Sequence, residues 1–181
     1  MKRALLVIDV QNEYFTGRLR IENGERSLAN IVRAMDHAHQ KGIPVVVIRH
    51  TNLAEGAVTF RKGSPEWELH PEIARRPYDH LVEKHMPGSF TGTDLERWLK
   101  ENGITTVTIA GFMAHLCCDT TSRQAVHLGF AVEFLADATG TIPLETEWGS
   151  LTAQELYRAV LIVQAARFAK VQKTEDWIRQ V

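Results

Sequence analysis

Cysteine is scarce in this chain: there are two among 181 residues, and they are adjacent at positions 117 and 118. Two adjacent cysteines cannot form a disulfide framework, and they lack the spacing of a zinc finger. A bridge between them would be strained. The chemistry of these thiols is therefore considered one cysteine at a time.

The sequence also lacks nucleotide-binding motifs, a large net charge and a long apolar run near residue 4. No Gly-x-Gly-x-x-Gly follows the first apolar run and no Walker loop occurs, so nucleotide binding is unsupported. Lys and Arg number 21 against 22 Asp and Glu, and the formal net charge of -1 gives no electrostatic reason to expect nucleic acid or an anionic membrane as partner. The apolar run 4–8 is far too short for a signal sequence or a membrane span. We therefore expect a cytoplasmic protein that binds neither nucleic acid nor membranes.

What the chain does contain is a regular alternation of strand-like and helix-like segments. A hydrophobic content of 44% and a charged content of 24% are typical of a globular protein, and the length predicts a single domain covering residues 1–181. The alternation predicts a doubly wound parallel sheet with right-handed crossovers. The predicted strands are 3–10, 44–48, 80–83, 105–110, 130–136 and 168–171, and 51–77 and 137–149 are predicted loops. The predicted helices are 25–41, a helix that is capped by Gly92 or Thr93 and ends near 101, 118–128, 152–166 and 174–178.

A cysteine lies at one of the junctions between strand and helix. Cys117 follows the apolar run 107–110 and precedes a predicted helix. Open α/β sheets bind ligands at the carboxyl ends of their strands, and helix N-terminal amides favour a thiolate and any oxyanion beside it. Cys117 alone is equally consistent with a small buried hydrophobic residue. Cys118 would face about 100° away on a helix, and we interpret it as a packing residue.

Two further ionisable residues end predicted strands. Asp9 follows the apolar run 5–8, where a carboxylate is costly unless it caps a helix, pairs with a cation or takes part in catalysis as a base. Lys84 follows the run 80–83. It is consistent with an exposed lysine, or with a fixed ammonium that stabilises a carboxylate, a thiolate and a developing oxyanion.

The eight histidines do not predict a metal site. His115 and His127 have no obvious pairing geometry with Cys117, and the segment 50–70 contains neither Asp-x-His nor His-x-His. We therefore expect no bound metal and no cofactor, although His50 could still line a pocket.

Three segments taken together are distinctive. They are LLVIDVQNEYF at 5–15, VEK at 82–84 with Ser-Phe at 89–90, and GFMAHLCCDTTSRQA at 111–125 followed by Gly-Phe at 129–130. In order and spacing they resemble the isochorismatase-like cysteine hydrolase family, which includes nicotinamidases and related amidases. The resemblance covers residues 4 to 140, approximately, and implies a three-layer α/β/α fold whose doubly wound, mostly parallel sheet has six strands in a Rossmann-like arrangement.

The resemblance also implies a site. The family's catalytic Asp, Lys and Cys correspond by motif position to Asp9, Lys84 and Cys117. A non-proline cis peptide precedes the nucleophile turn in the family and falls here at Phe112–Met113, so that the Met113 and Cys117 amides would form an oxyanion hole. The implied reaction is hydrolysis of a small carboxamide through a thioester. Lys84 is expected to lower the pKa of both acidic groups through its charge.

Some details depart from the family or stay open. Family nicotinamidases carry an Asp-x-His metal motif after the second strand, whereas residues 48–52 read IRHTN and lack the carboxylate. Members that hydrolyse the vinyl ether of isochorismate need not use a cysteine nucleophile, and a non-catalytic binding or redox-sensing member is a third alternative. Because relatives are usually dimers or tetramers, we expect a small-molecule substrate and a homo-oligomer. The candidate pocket residues are Phe15, His50, Trp67, Phe90 and His115.

Overall fold

The computed structural model describes residues 2–181, and its main feature is a six-stranded sheet in which every neighbouring pair of strands is parallel. The strand order is β3-β2-β1-β4-β5-β8. The strands are β1 Arg3–Ile8, β2 Val45–His50, β3 His80–Lys84, β4 Thr106–Phe112, β5 Ala131–Gly140, β6 Leu144–Thr146, β7 Gly149–Leu151 and β8 Lys170–Gln172. The helices are α1 Gly24–Gln40, α2 Pro71–Ala74, α3 Leu95–Glu101, α4 Asp119–His127, α5 Ala153–Val163 and α6 Thr174–Gln180.

Helices cover both faces of the sheet. Ile31 of α1 and Trp177 of α6 are fully buried in the core on one face, and Leu99 of α3 and Ala125 of α4 are fully buried on the other. This arrangement confirms the predicted doubly wound, three-layer α/β/α fold. Within residues 2–181, every helix is too short or too polar to cross a bilayer.

Burial on both faces explains why the central strands read as continuous apolar runs. In β1, Leu5 and Val7 belong to the core under α1, while Leu6 and Ile8 belong to the core under α3 and α4. All four side chains are inaccessible to solvent, so neither face of the strand selects polar residues.

The prediction of a loop at 137–149 is wrong over most of its length. Strand β5 continues to Gly140, and β6 and β7 pair antiparallel as a separate hairpin. The hairpin strands are short and largely exposed, so they carry no alternating apolar pattern that could reveal them. Two other differences are smaller: a helical turn, α2, lies within the predicted loop 51–77, and the N-cap of α3 is Asp94 rather than Gly92 or Thr93.

Gly111 allows β4 to approach β1 directly beside the end of both strands. Its φ is +118°, and a Cβ atom at this position would lie 2.0 Å from the carbonyl oxygen of Ile8. The contact is with backbone, which cannot move aside without disturbing the strand that leads into Asp9. A side chain at position 111 is therefore incompatible with this junction.

Gly111→Ala is expected to lower the free energy of unfolding by more than about 3 kcal/mol, because it combines overpacking with an unfavourable φ. Gly129→Ala is the matched control, since Gly129 has a φ of +89° but no atom within 4 Å of its added Cβ. That variant should lose only about 1–2 kcal/mol. Urea unfolding of both variants measures the difference, and equal losses would show that the clash with Ile8 is relieved.

Candidate active site

The three ionisable residues singled out in the sequence lie together at the carboxyl edge of the sheet. Asp9 directly follows β1, Lys84 ends β3, and Cys117 lies in a π-helical turn, Ala114–Cys118, between β4 and α4. Strand β1 pairs with β2 and β4, and β2 pairs with β3, so the ends of these parallel strands converge. The sequence predicted a helix from residue 118, and the π-helical turn before it was not predicted.

Lys84 is the centre of the cluster. Its Nζ lies 2.8 Å from Asp9 Oδ2 and 3.3 Å from Cys117 Sγ. It also donates to the carbonyl oxygen of Met86 at 3.0 Å and lies 3.3 Å from Nδ1 of His50. An ammonium has three hydrogens for these four partners, so they compete for its donors.

The cluster is closed to solvent in the single chain. Asp9 and Lys84 have no exposed surface and Cys117 is 4% exposed. A buried ion pair of this kind is energetically demanding, because both charges lose their hydration. Removing either partner would leave the other charge buried without compensation, which makes Asp9 and Lys84 mutually dependent.

Burial sets the protonation of the thiol. Burial and, after it, the negative charge of Asp9 raise the pKa of Cys117, the positive charge of Lys84 only partly opposes them, and the net result is a pKa of about 12. The resting cysteine is therefore a neutral thiol. As expected, the charge of Lys84 lowers the pKa of Cys117, but burial and the charge of Asp9 are the larger effects, so the net shift is upward.

The pKa values of Lys84 and of the neighbouring His50 are shifted in opposite directions. Burial, the largest single effect, lowers the pKa of Lys84, but the charges and hydrogen bonds of Asp9 and Cys117 together outweigh it, so the pKa is raised. Burial, together with the charge of Lys84, lowers the pKa of His50. A neutral His50 can accept a hydrogen bond from Lys84 through Nδ1, in the tautomer that places the ring proton on Nε2.

Asp9 reaches this cluster because its backbone is left-handed, with a φ of +52°. Strand alternation would send the side chain of residue 9 to the same face as Val7, under α1. The change in backbone conformation turns the carboxylate toward Lys84 instead. Asp is among the few non-glycine residue types that adopt this conformation readily, so an aspartate is compatible with the left-handed backbone at this strand end.

Gln11 supports the site and was not identified in the sequence. Its buried amide donates to the carbonyl oxygens of His50 at 2.9 Å and Trp67 at 2.7 Å, and it accepts from the amide N–H of His50 at 2.8 Å. It thereby joins the segment after β1 to the end of β2. The available signal was a polar residue two positions after Asp9, but Asn12 and Glu13 follow it directly, so nothing in the sequence distinguishes Gln11 or identifies its partners.

The five candidate pocket residues are not all near the cluster. His50 contacts Lys84, and His115 lies in the same turn as Cys117 with its Nδ1 paired to Oγ1 of Thr141. Trp67 is buried and donates through Nε1 to Oγ1 of Thr51 at 2.8 Å. Its carbonyl oxygen accepts from Gln11, which also donates to the carbonyl oxygen of His50.

The remaining two candidates are aromatic residues that pack on other aromatic rings. Phe15 packs edge-on against Phe112 with ring centroids 5.8 Å apart. Phe90 stacks on Phe130 at 6.0 Å, within the packing of α3 and α4. The assignment of all five residues to a pocket wall stays a prediction.

The segment before the turn that contains Cys117 has the backbone that the resemblance implied. The peptide bond Phe112–Met113 is cis. The amides of Leu116 and Cys118 both donate to the carbonyl oxygen of Met113 at 3.1 Å, which closes the turn around Cys117. Cys118 is fully buried in the core under α3 and α4, as expected for a packing residue.

A family model described as the Isochorismatase domain matches residues 3–176. This chain belongs to the isochorismatase family. Isochorismatase-family relatives share its full length: the uncharacterised isochorismatase family protein YddQ of Bacillus subtilis is 32% identical over 180 residues, which are 99% of this chain and 100% of that protein. Nicotinamidase 3 of Arabidopsis thaliana is 31% identical over 92% of this chain and 82% of its own length.

A solved structure extends the comparison to the fold of the family. A provisionally named isochorismatase from Burkholderia xenovorans superimposes with a TM-score of 0.95 at 49% sequence identity, covering 98% of this chain and 86% of that one. These relatives are named as an isochorismatase and a nicotinamidase, and a further solved structure at 30% identity is named as an isochorismatase hydrolase. The chain is accordingly a hydrolase of the isochorismatase family.

Proposed function

We propose that this chain hydrolyses the C–N bond of a small carboxamide-type substrate through a thioester acyl-enzyme, with Asp9, Lys84 and Cys117 as the catalytic residues. The observation that carries the proposal is the position of the Lys84 ammonium, 2.8 Å from Asp9 Oδ2 and 3.3 Å from Cys117 Sγ in a buried site. The similarity to a protein named nicotinamidase supports an amide as the substrate.

The first step is a proton transfer that creates the nucleophile. Because the resting Cys117 is a neutral thiol, its proton must go to a base as the sulfur attacks, and Asp9 Oδ1 has no hydrogen-bond partner within residues 2–181. Transfer from Cys117 to Asp9 leaves the net charge of the cluster unchanged. Lys84 lies beside both groups, so its charge stabilises the site before and after the transfer.

The negative charge then moves from the carboxylate to the substrate. The sulfur bonds to the carbonyl carbon while the carbonyl oxygen becomes an oxyanion, for which we assign the amides of Met113 and Cys117 as donors. Removing one such donor typically costs about 3–4 kcal/mol of transition-state stabilisation. Charge therefore never has to accumulate on sulfur alone, which a pKa of about 12 would disfavour.

The remaining steps return the site to its starting state. Asp9 donates its proton to the leaving nitrogen as the C–N bond breaks, which releases ammonia or an amine and leaves a Cys117 thioester. Asp9 then accepts a proton from water as the water oxygen attacks the thioester carbon. Collapse of this second intermediate breaks the C–S bond, releases the carboxylic acid, and returns a proton to Cys117.

The residues at the end of β2 do not fit the metal motif of the family's nicotinamidases. The position of its carboxylate is occupied by Ile48, which is buried in the core, and His50 directs Nδ1 to Lys84. Over residues 2–181, His, Cys, Asp and Glu side chains nowhere gather in a group of three or more that could hold a metal ion. No step of the proposed reaction is therefore assigned to a metal.

A screen for ammonia release tests the proposal. Wild-type protein in buffer with a strong chelator is expected to release ammonia from at least one of nicotinamide, ureido acids and simple amides, and Cys117→Ala should release none. Pyruvate formed from isochorismate, without ammonia from any amide, would favour the vinyl ether reaction instead. Turnover of nothing in the panel, with ready oxidation of Cys117, would favour a non-catalytic member.

A further inference from the structure

Tyr14 carries a buried hydroxyl group that the proposed reaction does not use. The side chain is 2% exposed and lies in the short 3-10 helix Asn12–Tyr14, which follows β1 and Asp9. Within residues 2–181 the hydroxyl forms no hydrogen bond. A buried tyrosine hydroxyl normally has a partner, because it loses its hydration when the chain folds. This free donor therefore points to a partner outside the chain.

The hydroxyl of Tyr14 lies close to the nucleophile and the base of the proposed reaction. Its ring packs 5.5 Å from the ring of Phe112, the last residue of β4 before the turn that contains Cys117. Burial raises the pKa of Tyr14 most, followed by the negative charges of Cys117 and of Asp9. Charge interactions weaken with distance, so both groups must be near the phenol.

A second free donor is the ring nitrogen Nε2 of His50. Nδ1 of this ring accepts from Lys84 at 3.3 Å, so the neutral imidazole carries its proton on Nε2. Nε2 has no hydrogen-bond partner in the part of the chain that the structure describes, and the side chain is only partly buried. It is therefore able to donate to a bound molecule.

The ring of Phe60 places these two donors side by side. Its centroid lies 5.3 Å from that of Tyr14 and 5.1 Å from that of His50, and both contacts are edge-on. Phe60 has a φ of +51°, a left-handed conformation that is unfavourable for a bulky side chain. Strain of this kind concentrates at functional sites, and the connection between β2 and α2, residues 51–70, has the length typical of a binding loop.

The charges around the two donors favour an uncharged group on the ligand. Lys84 is paired with Asp9 at 2.8 Å. Arg49, which precedes His50 in β2, is paired with Glu83 at 3.0 Å. A ligand carboxylate would therefore lie near Asp9 while both of these cations already have a partner. A carbonyl oxygen accepts from an imidazole N–H and a phenol O–H without bringing a charge.

We propose that the Tyr14 hydroxyl and the Nε2–H group of His50 bind an uncharged carbonyl oxygen of the substrate, distinct from the carbonyl group that Cys117 attacks. The substrate class is then a small neutral amide with a second carbonyl group, of which a diamide is the simplest example. The inference rests on the proposed function for the place of the scissile amide, but binding of the second carbonyl group is measurable without turnover.

Equilibrium binding to the Cys117→Ala protein, in which the proposed reaction is blocked, tests this assignment. The probes are malonamide and succinamide, each compared with the monoamide that lacks the second carbonyl group, butyramide or pentanamide. At least one diamide should bind at least about tenfold more tightly than its monoamide in an NMR titration. The monoacid of that diamide, malonamate or succinamate, should bind less tightly than the diamide, because a carboxylate loses more hydration.

Single substitutions in the same Cys117→Ala background identify the donors. Tyr14→Phe keeps the aromatic ring and removes only the hydroxyl, so it should abolish the preference for the diamide and leave binding of the monoamide unchanged. His50→Asn should reduce the preference as well, since its side-chain oxygen can still accept from Lys84 but the Nε2 donor is lost. The control is Tyr78→Phe, which is 40% exposed near the amino end of β3 and should keep the preference.

Each other result has a defined meaning. Equal dissociation constants for both diamides and their monoamides, no binding of any probe, or a preference that survives Tyr14→Phe or His50→Asn would overturn the proposal. Tighter binding of the monoacid would overturn it too, since the donors would then bind an anion. A wild-type protein that hydrolyses no amide, with the preference and its loss in Tyr14→Phe both observed, would contradict the proposed function and support the binding assignment.

Discussion

Cys117→Ala should lower kcat by at least about 10⁴-fold, while Cys118→Ala should keep most of the wild-type activity. The expected loss is large because the proposed reaction forms a covalent bond to Cys117 Sγ, which no neighbouring group can replace. Cys118 is adjacent in sequence but is buried in the core under α3 and α4, and within residues 2–181 it forms no hydrogen bond with Lys84. Steady-state turnover of the substrate found by the ammonia screen measures both variants.

The two cysteine variants control for one another. Both thiols are buried, so each substitution removes one sulfur from a packed environment and should cost a similar, small free energy of unfolding, about 1–2 kcal/mol. Equal stability with unequal activity would separate a chemical role from a structural one. If Cys118→Ala were inactive and Cys117→Ala active, the assignment of Cys117 as the nucleophile would be wrong.

Asp9→Asn is expected to lower kcat by about 10³-fold and, at the same time, to speed alkylation of Cys117 by iodoacetamide. The two effects have opposite signs because Asp9 has two opposite influences. It is the proposed base for turnover, but its charge raises the pKa of Cys117 in the resting site. With a pKa of about 12, only about one thiol in 10⁴ is ionised at pH 8, and removing the Asp9 charge increases that fraction.

The pH dependence follows from the same pKa. Alkylation of the wild-type protein should rise about tenfold per pH unit from pH 7 to pH 10, because a group is ionised in proportion to 10^pH below its pKa. Asn adopts left-handed backbone as readily as Asp, so Asp9→Asn should preserve the conformation of residue 9. A plateau in the wild-type rate near pH 8 would show that the resting Cys117 is a thiolate.

Lys84→Met is the matched control for the Asp9 variant. It also abolishes the proposed catalysis, but it removes the charge that lowers the pKa of Cys117, so alkylation should become slower rather than faster. It leaves Asp9 buried without its partner, and the double variant Asp9→Asn/Lys84→Met should recover part of the lost stability. If both single variants shift alkylation in the same direction, the assigned electrostatics are incorrect.

The layered fold could be predicted because its local signals are strong. The uninterrupted apolar runs of β1 and β4 are typical of strands covered on both faces, and the periodicity of α1 ends at Gly42, which has a φ of +64°. The β6–β7 hairpin could not be predicted in this way. Its side chains are exposed, so they follow no burial pattern that the sequence could show.

The positions of the site residues were predictable, but their state was not. Asp9, Lys84 and Cys117 each follow or end a strand-like run, and parallel topology brings such ends together. The left-handed backbone of Asp9 and the three hydrogen bonds of Gln11 depend on residues distant in sequence. The pKa of Cys117 depends on how completely the folded chain buries it, a quantity that no local pattern contains.

The most direct test of the account is a search for the acyl-enzyme. Substrate identified by the ammonia screen would be mixed with Asp9→Asn protein, in which hydrolysis of the thioester is slowed, and quenched in acid before peptide mapping by mass spectrometry. We predict that the acyl group appears on the peptide containing residues 117 and 118, that fragmentation places it on Cys117, and that Cys117→Ala in the same background carries none. Multiple turnovers by the Cys117→Ala protein, with no acyl group on Cys117 of the wild type, would contradict the account.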